Sequence, residues 1–514
     1  MEHAHTLAEL IADTAATNGG KAAVIFQDQP ISYAQLNEQI ERAANALTAR
    51  GIAHGDRVAL MLPNTPHFII AYYAILRLGA VVVPLNVLYK ADEVGYMLAD
   101  SAAKVIIIYD AFLPQAGAGI KDAPSVRETI VVGQAPAPAG MTPWSALVDS
   151  AAPQRPSAAV QPGDLAVICY TSGTTGRSKG ATLTHRNFIA NCEQCSSLPG
   201  YEATAQDSTL LVLPLFHIYA MNVGMNATFR VGGTVILLVR FEPAPVLDAL
   251  QRYHPTFFYG APPMYVAWAN MPGVEQYDLS SLRFCGSGAA ALPGQVLDRF
   301  RERTGVGILE GYGLTETAPV THSNAASPRI KPGTIGWPIP GVECRLVDEQ
   351  DQDVPDGAEG EIIVRGDNVT SGYWNRPDAT AEALRGGWFH TGDIATKDDE
   401  GYYTIVDRKK DMINAGGFKV WPREVEEVLY RHPAVQEAAV VALPDPYAGE
   451  RPLAYVSLKA GQQATADELI AYCRDHLASF KAPTRIEFRP DLPKLPTGKI
   501  LRRVLRDEAR QLAG

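Results

Sequence analysis

The sequence predicts an α/β protein with a large N-terminal domain of stacked, mostly parallel β-sheets and a small α+β domain at the C-terminal end. Three observations lead to this fold class. Up to Ile335, short apolar runs rich in β-branched residues alternate with helix-like segments, which is typical of parallel sheets covered on both faces. From Ile335 the strand-like runs lie closer together, which indicates a smaller β-rich unit. Beyond Arg408 a compact mixture of helices and strands follows.

The first third of the chain contains two well-marked helices. Ser32 and Gln35 form a capping-box pattern, and apolar residues at helical spacing follow it until Gly51. The run from Phe68 to Leu76 is the most apolar of the chain, but it is too short to span a bilayer and predicts a buried helix. The segment 134–162, rich in Pro and Ala, is predicted to be a connector rather than part of the core. The strands predicted before it are "RVALML" (57–62), "AVVVPL" (80–85) and "VIIIYD" (105–110).

The strand pattern resumes after the connector. The predicted strands are "LAVICY" (165–170), "TLLVLPL" (209–215), "TVILLV" (234–239), "TFFYG" (256–260), "LRFCG" (282–286) and "VGILEGYG" (306–313). In the tail, Val425, Val428 and Leu429 share one face of a predicted helix. Thr465 and Glu468 mark the start of another helix with a second capping box.

Composition narrows the class of protein. The chain has 514 residues, of which 46% are hydrophobic and 20% charged, as expected for a soluble protein with large cores. A net charge of −11 argues against broad binding to nucleic acid or anionic lipid. The opening "MEHAHTLAELIADTAA" lacks the basic start and apolar core of a signal peptide, and six scattered cysteines suit a reducing cytoplasm. Cys192 and Cys195 have zinc-like spacing, but no second ligand pair follows them.

The stretch "YTSGTTGRSKG", Tyr170 to Gly180, concentrates polar groups directly after an apolar strand. Its glycines allow tight backbone conformations that turn N–H groups toward one point. Its Ser and Thr hydroxyls add further donors, while Arg177 and Lys179 add positive charge. Converging donors and a cation predict an anion site, and a polyphosphate is the usual biological ligand of such a site. The Walker spacing is absent, so this is not a P-loop of that type.

This loop resembles the phosphate-loop signature of the acyl-adenylate-forming superfamily, which includes acyl-CoA synthetases, adenylation domains and luciferases. Further signatures of that family follow in its order over nearly the whole chain. They are "LPLFHIYA" (213–220), "GSGAA" (286–290), "EGYGLTET" (310–317), "HTGD" (390–393), "DRKKDMINAGGFKVWPREVE" (407–426) and "LPTGK" (495–499). The tail segments resemble bacterial fatty-acid CoA ligases, which act on medium- and long-chain acids. Ser178 departs from the pattern, since the family usually has Pro there.

The resemblance implies ATP, Mg²⁺ and CoA as cofactors and assigns a role to each motif. Glu316 would hold the Mg²⁺, Thr315 would bond a phosphate oxygen, and Lys499 would neutralise charge during adenylation. The catalytic set is Lys499, Glu316, Thr315 and His217. The implied nucleotide contacts are Thr171, Ser172, Gly173, Thr174, Thr175, Lys179, Gly288, Ala289, Ala290, Glu310, Gly311, Tyr312, Thr315, Asp393, Arg408 and Lys499. The small subdomain of the N-terminal domain would be β-barrel-like.

The family carries out its second half-reaction by rotating a mobile C-terminal domain. This implies an N-terminal adenylate-forming domain over 1–407, a C-terminal domain over 408–514 and a hinge at 408–410 centred on Lys410. Rotation would withdraw Lys499 and bring the 414–419 loop to the substrate. The implied CoA contacts in that loop are Gly416, Gly417 and Lys419.

The acyl pocket implied by the family motifs is mostly apolar. Its residues are His217, Tyr219, Met221, Val223, Tyr259, Gly260, Ala261, Met264, Gly311 and Gly313. None is Lys or Arg, so a second carboxylate on the substrate would lack a partner. His217 stands where enzymes that activate amino acids usually carry Asp, which disfavours an amino acid. Small residues at 260, 261, 311 and 313 leave room for a medium or long chain and also admit a flat aromatic acid.

Three functions remain open at this point. The first is an ATP-dependent acyl-CoA ligase for a hydrophobic, fatty carboxylic acid. The second is an adenylating enzyme that passes an aromatic or other acyl group to an amine or a carrier protein. The third is a catalytically silent nucleotide-binding protein. The expected partners are small molecules, without nucleic acid or a transmembrane segment; peripheral contact with a membrane and assembly into a homodimer stay open.

Overall fold

The chain folds around four β-sheets, and the computed structural model describes residues 5–134, 136–154, 156, 158–171, 178–416, 418–446, 448–495 and 498–512. The first sixteen strands are β1 Ala22–Phe26, β2 Gln29–Ser32, β3 Arg57–Met61, β4 Val81–Pro84, β5 Val105–Tyr109, β6 Glu128–Val132, β7 Thr142–Pro143, β8 Leu165–Thr171, β9 Lys179–Thr184, β10 Ser208–Leu211, β11 Thr234–Leu237, β12 Phe257–Gly260, β13 Phe284–Ser287, β14 Leu309–Gly313, β15 Val320–Ser323 and β16 Trp337–Pro338. The remaining strands are β17 Val342–Val347, β18 Gly360–Gly366, β19 Phe389–Lys397, β20 Tyr403–Arg408, β21 Ile413–Ala415, β22 Phe418–Val420, β23 Val435–Asp445, β24 Gly449–Leu458 and β25 Arg485–Phe488.

The two largest sheets are parallel in their interiors and antiparallel at their edges. One has seven strands in the order β7-β6-β5-β3-β4-β8-β9, and the other has nine in the order β16-β15-β14-β13-β12-β10-β11-β1-β2. The pairs β8–β9, β1–β2, β14–β15 and β15–β16 are the antiparallel ones. The predicted α/β class with mostly parallel sheets is therefore confirmed.

The helices cover these sheets. They are α1 Leu10–Asn18, α2 Tyr33–Ala49, α3 Pro66–Arg77, α4 Ala91–Ser101, α5 Leu113–Lys121, α6 Trp144–Asp149, α7 His185–Ser196, α8 Ala227–Arg230, α9 Pro243–Tyr253, α10 Pro262–Asn270, α11 Gly294–Thr304, α12 Pro377–Ala383, α13 Pro422–Arg431, α14 Ala466–His476 and α15 Arg502–Leu512. The prediction of a buried helix over the most apolar run is confirmed, since α3 is almost wholly buried. Both predicted capping boxes are also present, at the starts of α2 and α14. Among the described residues, no helix combines the length and apolar character that crossing a membrane requires.

The prediction that 134–162 is only a connector is wrong for its middle part. Residues Trp144–Asp149 form α6, and Trp144, Leu147 and Val148 are buried in the main core. The helix is short, and its three buried apolar residues are hard to recognise in the sequence because the residues around it are rich in Pro and Ala. Burial of such side chains contributes roughly 1.5–3 kcal/mol each, so packing outweighs the weak local signal.

Two smaller sheets complete the molecule. Strands β17 to β20 form a four-stranded antiparallel sheet, which is the predicted β-rich subdomain. In the C-terminal part, β22-β21-β24-β23 form an antiparallel sheet, with β25 parallel to β24. This part contacts the rest of the chain at several points: the Trp421 Nε1–H donates to Glu359 at 3.1 Å, and Gly498 packs against Pro263.

Candidate active site

A cavity of about 1250 Å³ lies where the two large sheets, the four-stranded sheet and the C-terminal part meet. The ends of β8, β13 and β14 open into it, and residues of β19 and β20 line it from the opposite side. Ligands of open α/β sheets bind at the carboxyl ends of the strands, so this is the position where a site is expected. The C-terminal part contributes Lys499, which reaches the cavity from the loop before α15.

Glu316 is held on one side of the cavity by its neighbours. It lies in a 3₁₀ turn, Thr315–Thr317, directly after β14. Its Oε1 accepts hydrogen bonds from the Tyr373 hydroxyl at 3.0 Å and the Thr171 hydroxyl at 3.3 Å. Its backbone carbonyl accepts from the Thr370 N–H at 2.7 Å. The carboxylate is thus fixed beside the end of β8, where the predicted phosphate loop begins.

Asp393 is the centre of a second polar group. The Tyr312 hydroxyl donates to its Oδ2 at 2.6 Å, and the Arg408 Nε lies 3.3 Å from its Oδ1. The ion pair follows from the sheet, because Asp393 and Arg408 are directly opposite each other in the β19–β20 register. Burial and the adjacent Asp393 carboxylate raise the pKa of Tyr312 well above its usual value, so its hydroxyl stays a donor. A carboxylate with about four acceptor positions retains capacity for further hydroxyl donors.

Lys499 and His217 both line the cavity, and Lys499 lies close enough to affect the ionisation of His217. Burial, followed by the positive charge of Arg408, lowers the pKa of Lys499 to about 7. Burial, followed by the positive charge of Lys499, lowers the pKa of His217 to about 4. The imidazole is therefore neutral at pH 7, and an anion that enters the cavity would favour the protonated form of the Lys499 amine.

The opposite end of the cavity is walled by aromatic rings and glycines. Tyr219 packs edge-on against Tyr259 with ring centroids 5.9 Å apart, and the Tyr259 hydroxyl donates to Tyr201 at 2.7 Å. A Cβ on Gly288 would come within 3.2 Å of the Tyr219 ring, closer than carbon atoms usually pack, so glycine allows this close approach without a shift of the ring. Ala289, the next residue, has a φ of +69°, a region that costs a non-glycine residue roughly 1 kcal/mol. The backbone directly after β13 is therefore strained where it borders the cavity, at a cost in local stability.

Comparison with known proteins decides the family. A family model described as "AMP-binding enzyme" matches residues 11–374, and its C-terminal domain model matches 424–499. The chain belongs to the AMP-binding enzyme family. It is 39% identical to a long-chain-fatty-acid–CoA ligase of Bacillus subtilis (strain 168), over 98% of this chain and 94% of the relative. It is 40% identical to a feruloyl-CoA synthase of Amycolatopsis sp, over 95% and 94%.

Solved structures of AMP-binding enzymes share the whole fold. An anthranilate CoA ligase in complex with anthranoyl-AMP superposes with a TM-score of 0.92 at 30% identity, covering 99% of this chain and 98% of that one. The predicted superfamily and fold class are confirmed. The predicted enzyme class is confirmed as well: this AMP-binding enzyme is an AMP-forming acyl-CoA synthetase that uses ATP and CoA as substrates.

The cavity of the synthetase brings together most of the residues that the sequence singled out. Those that line it are Thr171, Lys179, His217, Tyr219, Val223, Tyr259, Gly288, Ala289, Ala290, Glu310, Gly311, Tyr312, Gly313, Thr315, Glu316, Asp393, Arg408, Lys410 and Lys499. Each carboxylate oxygen of Glu310 accepts one backbone hydrogen bond, from the N–H of Gly333 at 3.1 Å and from the N–H of Leu292 at 3.4 Å. Burial raises the pKa of Glu310. It fastens two loops at the cavity wall.

Several predicted residues of the synthetase lie elsewhere. Met221, Gly260, Ala261 and Met264 do not line the cavity: the three side chains are buried in the core, and a Cβ on Gly260 would meet Phe258 and Tyr265 at 2.9 Å. Gly416 and Lys419 are also outside the lining, with Gly416 N–H bonded to Ala448 O at 2.8 Å. Ser172, Gly173, Thr174, Thr175 and Gly417 lie outside the described residues.

One region of the synthetase site was missed in the sequence. The segment "TSGYW", residues 370–374, runs beside β9 and places Tyr373 against Glu316. Asp100 accepts from the Tyr170 hydroxyl at 2.7 Å and from Arg376 at 2.9 Å, which links this segment to β8, the strand before the predicted phosphate loop. The available signal was an aromatic pair directly after a glycine, which is typical of a turn that packs against a neighbour.

Proposed function

We propose that this acyl-CoA synthetase activates a hydrophobic monocarboxylic acid, with medium- and long-chain fatty acids as its main substrates. One observation carries the proposal: the cavity-lining residues between Cys195 and Ala290 include no Asp, Glu, Lys or Arg, and their one histidine, His217, is neutral at pH 7. A second carboxylate or an ammonium group would be buried there without a partner, at a cost of several kcal/mol. The relative named as a long-chain-fatty-acid–CoA ligase supports the fatty-acid assignment.

An aromatic acid is the second candidate substrate. Tyr201, Tyr219, Tyr259 and Phe284 form a connected group of rings that lines the same part of the cavity. Edge-to-face contacts with such rings stabilise an aromatic ligand beyond the burial of its area. The relative named as a feruloyl-CoA synthase and the solved anthranilate CoA ligase support this candidate.

We assign the polar half of the cavity to ATP. Asp393 would accept the ribose hydroxyls, with Arg408 as a second contact, and Gly288 to Ala290 would border the adenine. Thr171 and Lys179, at the two ends of the phosphate loop, would hold the triphosphate. The assignment is supported by the fixed Asp393–Arg408 pair and by the position of Lys179 in the cavity lining.

The residues around Glu316 fit a Mg²⁺ ion that ATP brings with it. Both donors to this carboxylate bond Oε1, and among the described residues none donates to Oε2. Mg²⁺ is typically bound through one or two carboxylates together with substrate phosphates and water, so one free carboxylate oxygen is sufficient. When bound, the ion would neutralise charge on the phosphate oxygens. Among the described residues there is no cluster of three or more His, Cys, Asp or Glu that could hold a metal without such help.

Lys499 is the group that we assign to adenylate formation. A substrate carboxylate oxygen attacks the α-phosphorus of ATP, a P–O bond forms to give the acyl-adenylate, and the bond to pyrophosphate breaks. The ammonium of Lys499 would lie between the two anions as they approach, which stabilises the charge that develops there. His217 is neutral and so would not compete for the substrate carboxylate as a second cation.

The second half-reaction requires a different placement of the C-terminal part. In this structure Lys499 occupies the cavity while Gly416 and Lys419 lie outside it. We propose that rotation at Lys410 exchanges these two loops, so that the CoA thiol reaches the acyl carbonyl, a C–S bond forms and AMP leaves. The support is that the 408–410 segment lines the cavity at the junction between β20 and the C-terminal sheet.

A substrate panel with two variants tests the proposal. Acids from acetate to palmitate, with ferulate and benzoate, are compared by kcat/KM for CoA-dependent AMP formation. Val223→Phe would fill the acyl part of the cavity, at about 1–3 kcal/mol for overpacking. It should lower kcat/KM for long acids at least tenfold more than for acetate, whereas Val223→Ala should not.

The outcomes separate the candidates. Highest kcat/KM for palmitate-like acids supports the fatty-acid assignment, and highest kcat/KM for ferulate or benzoate replaces it with the aromatic candidate. Equal losses of Val223→Phe on acetate and palmitate would contradict the placement of the acyl group. AMP formation that needs an added amine in place of CoA would contradict the thioester product.

A further inference from the structure

We propose that Tyr373 is a positioning residue for Glu316, holding one carboxylate oxygen so that the other faces the place of the metal and the triphosphate. The inference rests on the proposed function, because it gives Tyr373 a task only if Glu316 binds Mg²⁺ together with ATP. It adds a residue from a separate segment of the chain to the phosphate end of the site.

The backbone around Tyr373 is fastened to the strand that follows the phosphate loop. Tyr373 forms an isolated β-bridge with Ala181, and the Trp374 N–H donates to Gly180 O at 2.7 Å. The Tyr373 N–H donates to the Thr380 hydroxyl at 2.9 Å. These bonds fix the backbone of Tyr373 against β9, so the side chain starts from a defined position beside Glu316.

The hydroxyl of Tyr373 makes the shorter of the two bonds to Glu316. It donates to Oε1 at 3.0 Å, and Thr171 donates to the same oxygen at 3.3 Å. Two donors on one oxygen fix the rotation of the carboxylate, which leaves Oε2 for a ligand. Glu316 is 8% exposed and lines the cavity, so an unpaired carboxylate there would be costly without a cation.

The ring of Tyr373 contacts the cation of the same site. Lys179 Nζ lies 5.3 Å from the ring centroid, within the range of a cation–π interaction. One side chain therefore contacts both the anion and the cation of this end of the site. Without the hydroxyl, only the longer bond from Thr171 would hold Oε1, and the carboxylate could rotate away from the place of the metal.

The central experiment is the Mg²⁺ dependence of ATP binding to Tyr373→Phe. Phenylalanine keeps the ring over Lys179 and removes only the bond to Glu316. Calorimetric titration with ATP at increasing Mg²⁺ should show that the variant needs roughly tenfold more Mg²⁺ for half-maximal enhancement of binding, since a hydrogen bond to a carboxylate is lost. Binding of ATP without Mg²⁺ and the melting temperature should stay as in the wild type.

The chain offers a matched control in Tyr402. Its hydroxyl donates to Arg329 O at 2.7 Å, and Lys331 Nζ lies 5.1 Å from its ring centroid, but it does not line the cavity. Tyr402→Phe removes a tyrosine hydroxyl bond, here to a backbone carbonyl, beside the same kind of cation, and it should leave the Mg²⁺ dependence unchanged.

A double-mutant cycle with Glu316→Ala tests that Tyr373 acts through Glu316. In the Glu316→Ala background, Tyr373→Phe should have no further effect on the Mg²⁺ dependence, because the partner is already absent. Thr171→Val removes the second donor to Oε1 and should shift the dependence in the same direction, but it also removes a proposed triphosphate contact, so the melting temperature of Tyr373→Phe is measured first and the cycle decides the role of Tyr373.

The outcomes distinguish the two proposals. Unchanged Mg²⁺ dependence in Tyr373→Phe, with a strong effect of Glu316→Ala, would overturn the role of Tyr373 alone, whatever Thr171→Val does. An equal effect of Tyr373→Phe with and without Glu316 would overturn it as well. No effect of Glu316→Ala would overturn the metal assignment and, with it, this inference.

Discussion

Replacing Gly498 by alanine should slow adenylate formation and spare thioester formation. Gly498 precedes Lys499 and has a φ of +81°. A Cβ at this position would lie 2.7 Å from Cγ of Pro263, near the start of α10. The proline ring is closed and cannot rotate away, so the loop that carries Lys499 would have to move away from Pro263.

The size of the effect follows from this contact. Carbon atoms pack at about 3.5–4.0 Å, so the added Cβ is too close by roughly 0.8 Å. Overpacking of this kind typically costs about 1–3 kcal/mol, and 1.36 kcal/mol corresponds to a tenfold change in rate. Adenylation should therefore fall by about 5- to 150-fold. Alanine at a positive φ also adds backbone strain of roughly 1 kcal/mol. This strain is the same in both arrangements of the C-terminal part, so it lowers the free energy of unfolding and does not slow adenylation selectively.

Two assays and one control isolate the clash. Pyrophosphate release reports adenylation, and conversion of supplied acyl-adenylate with CoA reports the thioester step. Gly461 has a φ of +76° with no atom within 4 Å of an added Cβ, so Gly461→Ala imposes the backbone strain without a clash. Equal losses of Gly498→Ala in both assays, or a loss no greater than that of Gly461→Ala, would refute the reasoning.

Three further predictions concern the same loop and the hinge. Lys499→Ala should abolish pyrophosphate release while supplied acyl-adenylate is still converted to acyl-CoA; equal loss of both steps would contradict its role. Because burial lowers the pKa of Lys499 to about 7, raising the pH should remove its proton, and kcat/KM for ATP in adenylation should fall above pH 7. Lys499→Arg stays protonated, so this fall should disappear from its pH profile even if its rate is lower. Lys410→Pro should stiffen the proposed hinge, leaving pyrophosphate release intact and lowering thioester formation, and an unchanged overall turnover would argue against rotation.

Local signals were sufficient for most of the fold. The capping boxes at Ser32 and Thr465 and the apolar run in α3 each depend on residues within a few positions of one another, and each is present. The helix at Trp144 was missed because its stability comes from distant packing rather than from its own six residues. Short elements are held by tertiary contacts, which a single sequence does not display.

In the site, too, residues of contiguous motifs were predicted from the sequence, whereas a contact between distant positions was missed. Glu316 after β14 and Asp393 on β19 were identified because each lies in a short contiguous motif, "EGYGLTET" and "HTGD", that resembles a signature of the family. Tyr373 was missed because its bond to Glu316 joins positions 57 residues apart. Met221 was placed in the pocket by its motif, but the π-helix Tyr219–Asn226 turns it into the core. Side-chain direction in such an irregular helix does not follow from standard spacing.

The pairing of Asp393 with Arg408 has a consequence for the fate of the intermediate. Both residues belong to one antiparallel ladder, and this ladder ends two positions before Lys410. In the proposed rotation, a nucleotide bound to these two residues would stay with the N-terminal part of the chain while the residues after Lys410 move. The acyl-adenylate, a labile mixed anhydride, would then stay bound from the first half-reaction to the second. It would not be released into bulk water, where its hydrolysis would waste the ATP already consumed.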